Sequence, residues 1–146
     1  MRLKRSLYIL ALPIRRLYWF IFRPKTYGVK CLMECDGKLF LIRNSYGKHG
    51  WTFPGGGIKR NESPESAVKR EIKEETGIIL EDIEKIGEYQ NTWGYKKDIV
   101  YCYWAKLSDP SFTIDEGEVS EAGWFEPNKI PEFRSSAVGK MLKMYE

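Results

Sequence analysis

Histidine is almost missing from this chain: His49 is the only one in 146 residues, and cysteine is limited to Cys31, Cys35 and Cys102. A zinc centre draws on several closely spaced Cys and His side chains, and a Ser-His-Asp site needs a histidine at its heart, so neither chemistry has material here. Three cysteines do not make a disulfide framework, and with 42% apolar residues the chain can bury a core without one. A reducing, cytoplasmic setting is expected. Any hydrolytic chemistry must then rest on carboxylates and a hard metal ion. Long apolar runs are missing too. The longest charge-free stretch near the start, Ser6 to Ile14, is far below the ~20 residues that span a bilayer. Arg15 and Arg16 follow it at once without a small-residue cleavage site, which argues against a secretory signal.

Acid is missing before Glu34. Residues 1–33 carry eight bases and no acid, whereas residues 34–146 have a net charge of −4, so the overall +4 is the sum of two opposed regions. That total is modest for a dedicated nucleic-acid binder and indicates no specific nucleic-acid partner, but it suits an anionic ligand. Leu3, Leu7, Leu10, Ile14, Leu17 and Ile21 recur at alternating spacings of four and three, a helical stripe that Pro13 interrupts. The expected division is a basic amphipathic extension over 1–26 and one domain over 27–146. The extension packs on that domain, forms a homodimer contact, or touches a membrane surface through residues 1–24, where bases flank Tyr18, Trp19 and Phe20.

From Tyr27 the periodicity changes. Val29 to Cys35 and Lys38 to Arg43 read as a hairpin around Asp36-Gly37, with Cys31 and Cys35 on one face of the first strand. Trp51 to Phe53 is a short extended piece, and Gly55-Gly56-Gly57 gives a backbone that can approach a ligand closely. His49 belongs to the polar loop before Trp51 and reads as a surface residue. Ser63 as N-cap, Pro64 at the first helical position and Glu65 in the first turn open a helix that Gly77 closes. Strands follow at Ile83 to Gln90 and Asp98 to Leu107 with a loop over Asn91 to Lys97, then a strand around Trp124 and a helix from Ser136 to Tyr145.

Within the first helix of this domain, Glu71, Glu74 and Glu75 sit at i, i+3 and i+4, inside an arc of about 100°. Like charges at these spacings each cost a helix a few tenths of a kcal/mol, so helix stability alone does not account for them. A solvated acidic face balanced by Lys69, Arg70 and Lys73 is one reading. The glycine run just ahead favours another, in which backbone groups meet phosphate and the carboxylates hold Mg²⁺ or Mn²⁺, a hard cation suited to oxygen ligands. The chemistry that joins the two is metal-assisted attack of water on a phosphoryl centre.

The segment from Gly56 through Glu62 to Arg70-Glu71-Ile72-Lys73-Glu74-Glu75-Thr76-Gly77-Ile78 resembles the Nudix box with each specified position filled. The resemblance to Nudix hydrolases extends loosely over Tyr27 to Pro131. It implies an α/β/α sandwich around a mixed β-sheet, and hydrolysis of a pyrophosphate linkage in a nucleoside diphosphate joined to another group. By the same resemblance Glu71, Glu74 and Glu75 match the metal ligands, with the carbonyl of Gly56 as a further contact. Arg70 matches the arginine that orients a box glutamate, and Glu62 is an outer acid with a structural role. A later loop supplies another glutamate in some members; Glu118 is the best match, with Glu116 and Glu121 as competitors, and either Glu71 or Glu118 serves as base.

Arg43, at the end of the second hairpin strand, is a candidate for phosphate neutralisation, the alternative being a solvent-facing strand end. Trp51, Phe53, Trp93 and Tyr95 are candidate stacking faces for a base, although strand aromatics such as Trp51 and Phe53 commonly serve the core. A nucleoside triphosphate, in normal or oxidised form, is the leading substrate. Tyr95, lying after the box as in dinucleoside polyphosphate hydrolases, keeps that class open, and a nucleotide- or RNA-binding adaptor without catalysis is the third reading.

Overall fold

Alternation of apolar and polar residues makes strands in the first half of the domain, and two helices cover opposite faces of the sheet they build. The computed structural model describes residues 25–45, 50–93 and 96–146, besides two isolated positions at 11 and 13. The helical stripe of residues 3–21, the loop histidine His49 and the aromatic Tyr95 lie outside the described residues. In chain order the elements are β1 (Lys25–Cys35), β2 (Lys38–Asn44), β3 (Trp51–Thr52), β4 (Gly55–Gly57), α1 (Pro64–Thr76), β5 (Glu84–Trp93), β6 (Lys96–Lys106), β7 (Val119–Phe125) and α2 (Ser136–Tyr145).

The sheet is mixed and runs β3-β2-β1-β6-β5, with β4 paired to β1 and β7 to β2. β1 and β6 are parallel from Lys25↔Lys97 to Glu34↔Lys106, and the other pairs are antiparallel. At the hairpin, Asp36 and Gly37 both take positive φ, 50° and 76°, the combination a two-residue turn with right-handed strand twist needs. β2 pairs with β1 only at Glu34↔Leu39 and Cys35↔Lys38, then diverges. The edge of β1 that it leaves is taken by Pro54, whose carbonyl accepts from Cys31 N at 3.0 Å, and by β4 at Gly28↔Gly57, Val29↔Gly56 and Lys30↔Gly55. The sheet therefore forks, and the glycine strand lines the fork.

Period two along β1 sends Val29, Cys31 and Met33 to one face, where they pack with Ala67, Val68 and Ile72 of α1 and with Tyr103 and Ala105 of β6. Leu32 points the other way and joins Leu39, Leu41, Phe53 and Cys102 beneath Val138 and Met141 of α2. Burial of side chains of this size contributes roughly 1.5–3 kcal/mol each, so the two helices are held by ordinary apolar packing. All three cysteines are free and buried. Among the described residues no helix is long and apolar enough to cross a membrane.

One expected boundary is wrong. The loop over Asn91 to Lys97 is instead strand on both sides, with Asn91↔Asp98, Thr92↔Lys97 and Trp93↔Lys96 in register. Polar residues read as loop, but backbone pairing of β6 with β5, and at Lys97 and Asp98 also with β1, carries the strands through them. The helix limits, by contrast, coincide with the expected ones: Ser63 Oγ accepts from Ser66 N at 3.1 Å, and Gly77 at φ 69° donates its N–H to Lys73 O at 2.9 Å.

Two glycine substitutions separate conformation from contact. Gly77→Ala strains only the left-handed cap and is expected to lower unfolding free energy by about 1–2 kcal/mol. Gly55→Ala places a Cβ 1.9 Å from Val29 O and must open the fork, so its loss is expected to be clearly larger in denaturant unfolding. Equal losses would show that β4 is not held against β1 as described.

Candidate active site

Three turns of α1 and the glycine strand form the floor of the fork. A Cβ on Gly56 would lie 2.3 Å from the carboxyl carbon of Glu71, so the glutamate is pressed against a position only glycine can occupy. One residue earlier, Gly55 N donates to Glu75 Oε2 at 3.3 Å. A side chain at Gly56 would displace the Glu71 carboxylate, and one at Gly55 would collide with the backbone of Val29 and Lys30. This ties the glycine run to the helix that follows it.

Arg70 organises the rest of the cluster. Its Nε and Nη2 donate to the two oxygens of Glu62 at 2.8 and 2.9 Å, a bidentate pair. Nη2 also donates to Gly57 O at 2.9 Å, while Nη1 reaches Glu71 Oε1 at 2.8 Å and Glu74 Oε2 at 3.3 Å. Glu62 is held at a pKa of about 2, chiefly by its hydrogen bond from Arg70 and next by Lys59 N. Asn61 makes the turn that brings Glu62 back to Lys59, at φ 62°, a conformation asparagine tolerates.

The carboxylates of α1 sit in very different surroundings. Glu74 is about half exposed, Glu71 is mostly covered, and Glu75 is 5% exposed. Burial is the main cause that raises the Glu71 carboxyl above its ordinary range; Arg70 opposes it, and Glu74 and Glu118 add to it. Glu75 is raised as well, again by burial first, with Lys30 opposing and Glu71 and Glu118 reinforcing. Both glutamates also lie in the second half of α1, where the helix dipole disfavours anions.

Glu118 reaches this cluster through backbone hydrogen bonding. Thr113 N donates to Thr76 O at 2.9 Å and Asp115 N to Glu75 O at 3.1 Å, so residues 113–115 dock on the last carbonyls of α1. Glu118 N then donates to Asp115 O at 3.0 Å, and Ser45 N to Glu118 O at 2.9 Å. Of the three loop glutamates considered from sequence, Glu118 is the one that acts on both Glu71 and Glu75. Glu121 is instead paired with Arg43 at 3.5 Å.

The remaining sequence candidates are not gathered at the carboxylates. Arg43 is tied to Glu121 and lies over the Phe133 ring at 5.9 Å, beside Trp51, its β-sheet partner. Trp51 packs edge-on against Phe125 at 4.9 Å. Phe53 is fully buried in the core under α2 and offers no ring face to a ligand. Of Trp93 only the backbone pairing is described.

Lys30 is the residue that sequence reasoning missed. Its Nζ donates to Thr52 Oγ1 at 3.0 Å and to Phe53 O at 2.9 Å, and burial pushes its pKa down while Glu75 opposes that shift. A single lysine inside an otherwise apolar strand, Val29 to Met33, was the available signal.

Glu71, Glu74, Glu75 and Glu118 offer carboxylate oxygens, a donor set suited to a hard divalent cation, and the charges of Glu71 and Glu118 add to the raised pKa of Glu75. Among the described residues, however, no three Asp, Glu, His or Cys side chains converge as a formed coordination group. Glu71 and Glu74 are turned to Arg70 and Glu75 to Gly55 N, so a cation would be held only after these side chains exchange partners. The chemistry of the set fits the ion.

Comparison with known proteins bears on the same segment. An RNA pyrophosphohydrolase of Saccharophagus degradans is 43% identical over 75 residues, covering 51% of this chain and 43% of that protein. Another, from Hydrogenovibrio crunogenus, is 37% identical over 84 residues, covering 56% and 49%. The chain thus spans about half the length of these curated relatives. In structure it is similar to a MutT NUDIX hydrolase from Burkholderia pseudomallei, with TM-score 0.78 and 23% identity over 84% of this chain and 99% of that one. It is also similar to the NUDIX domain of Shewanella oneidensis NrtR complexed with ADP ribose, with TM-score 0.74 and 21% identity over 86% and 89%. At these identities the structural likeness establishes the fold, a mixed sheet between helices. The NUDIX domain model matches residues 23–145, nearly the whole chain, and the protein belongs to the NUDIX family.

Proposed function

We propose that this protein is a divalent-metal-dependent pyrophosphohydrolase acting on a nucleoside 5′-polyphosphate. The observation that carries the reading is the cluster of Glu71, Glu75 and Glu118 against the glycine strand, where buried carboxylates repel one another and a cation would relieve them. The names of the relatives, RNA pyrophosphohydrolases, support cleavage between phosphates at a nucleotide end. Free nucleoside triphosphates, oxidised or not, and dinucleoside polyphosphates share that linkage.

Glu74, Glu75, Glu71 and the carbonyl of Gly56 are the groups that would hold Mg²⁺ or Mn²⁺. Such an ion supplies charge neutralisation at phosphoryl oxygens and lowers the pKa of bound water. Glu71 or Glu118 orients the attacking water and accepts its proton, for which a carboxyl pKa raised by burial, as at Glu71, is an advantage. Arg70 keeps Glu71 in place through Nη1 and ties it to Glu62 and Gly57. Lys30 holds Thr52 and Phe53, so that the β3–β4 turn stays fixed beside Glu75. Arg43 and Trp51, neighbours at the far side of the fork, are placed to meet a more distant part of the substrate.

Replacing Glu74 or Glu75 by Gln is expected to lower Mg²⁺-dependent turnover by about 10²-fold or more, read by product mass over a panel of nucleoside triphosphates, dinucleoside polyphosphates and 5′-triphosphorylated RNA. Near-normal activity in both variants would remove the metal role. Chelator should abolish turnover of the wild type, with Mg²⁺ or Mn²⁺ restoring it.

Electrostatics gives a second expectation. A carboxyl whose pKa rises on folding stabilises the folded state below its unfolded value, here 4.5, and that contribution is lost as pH climbs through the folded value. In chelator, Glu71→Gln should therefore melt at a higher temperature than wild type at pH 7, with the gap closing toward pH 4.5. A variant less stable at pH 7 would show that Glu71 is not strained by its neighbours.

A further inference from the structure

Near the N-terminus of α1, the sheet face that carries Val29 and Tyr103 continues to Tyr27 and Tyr101. Tyr27 and Tyr101 stand there side by side, rings parallel to within 6° and centroids 6.4 Å apart, with Tyr27 44% exposed. Lys85 Nζ lies 4.8 Å over the Tyr101 ring. Lys59 and Arg60, both exposed, join the two tyrosines and Ile58 around a depression of about 350 Å³. Lys25 and Lys97 are register partners, two residues before Tyr27 and four before Tyr101, so period two sets both on this same face.

Acid on this strip is already engaged. Glu62 accepts two bonds from Arg70, Glu65 accepts from Tyr103 Oη at 3.0 Å, and Glu88 is bonded to Lys85 at 3.1 Å. Asp98 falls on the opposite face by alternation and accepts from Thr26 Oγ1. Besides Lys85, which is paired with Glu88, four exposed cationic side chains, Lys25, Lys59, Arg60 and Lys97, therefore flank two parallel aromatic rings. Stacked bases and a phosphodiester backbone match rings and cations together.

The strip is also continuous with the carboxylate cluster. Ile58 N donates to Tyr27 O at 2.9 Å, and the two preceding glycines present Gly57 O to Arg70 and Gly56 to Glu71. A chain whose 5′ phosphates lie at Gly56 meets Lys59, Arg60 and the tyrosines next.

We infer that this face is a binding strip for single-stranded oligonucleotide, with bases on Tyr27 and Tyr101 and backbone phosphates at Lys25, Lys59, Arg60 and Lys97. Resting on the proposed pyrophosphohydrolase reading, it makes the substrate class a polyphosphorylated nucleic-acid 5′ end rather than a free nucleotide.

The test uses the full chain and two measurements. Fluorescence anisotropy follows binding of a ten-nucleotide 5′-hydroxyl RNA, which needs no catalysis. Hydrolysis is followed on the same RNA bearing a 5′-triphosphate and on a mononucleoside triphosphate. Tyr27→Ala and Tyr101→Ala should each weaken binding about tenfold, the order expected for one stacked base, and Tyr27→Phe should restore it. The Lys59→Ala, Arg60→Ala double variant, on an exposed loop, should lower the slope of log affinity against log salt by about 1.4. KM for the triphosphorylated RNA should rise in the same variants while mononucleotide turnover is unchanged. Unaltered RNA affinity in both sets, or equal losses on RNA and mononucleotide, would overturn the strip. RNA binding lost in the variants of a protein that hydrolyses neither compound would uphold the strip and refute the pyrophosphohydrolase reading.

Discussion

The guanidinium of Arg70 is the interaction on which the site depends. One planar group with five fixed N–H donors binds Glu62 on the loop, Gly57 on the glycine strand, and Glu71 and Glu74 on its own helix. Lysine could not reproduce this, because a point charge has no fork to hold a bidentate carboxylate and a carbonyl at once. The pairing keeps an acidic helix face from repelling itself apart and fixes the loop that leads from β4 into α1. It also leaves Glu71 partly neutralised by Arg70 Nη1.

Charge and shape are coupled through the fork in the sheet. β2 parts from β1 after two residue pairs, and on the vacated edge only glycine fits at Gly55, against the backbone of Val29, and at Gly56, against the Glu71 carboxylate. Backbone N–H and C=O groups are consequently brought to the carboxylates, the combination a phosphate–metal site requires. Lys30 stabilises the same region from β1 by bonding Thr52 and Phe53. The loop ending in Glu118 is tied to the helix C-terminus through Thr76 and Glu75 carbonyls.

Much of the site was legible before any coordinates. The spacing of Glu71, Glu74 and Glu75, the caps Ser63 and Gly77, and the hairpin turn at Asp36-Gly37 are local features, each dictated by backbone geometry over a few residues. Less legible were residues whose role depends on long-range placement. Phe53 could be read as a stacking face or as core, and packing under α2 decides for core. The polar stretch over Asn91 to Lys97 suggested a loop because local composition cannot count hydrogen bonds made to a partner strand. Lys30 carried no motif at all.

Sequence alone determined the helix that bears the carboxylates, the glycine run before it and the opposed charges of the two regions, since capping, periodicity and net charge act over short distances or by simple addition. Tertiary structure decided which groups share that space. Pairing of β1 with β4 and β6 brought Lys30 beside Glu75 and placed Tyr27 next to Tyr101 across 74 positions of chain, while hydrogen bonds from Thr113 and Asp115 to the last carbonyls of α1 brought Glu118 near the helix end. Such neighbours are fixed by strand register, and register depends on the whole sheet rather than on any segment within it.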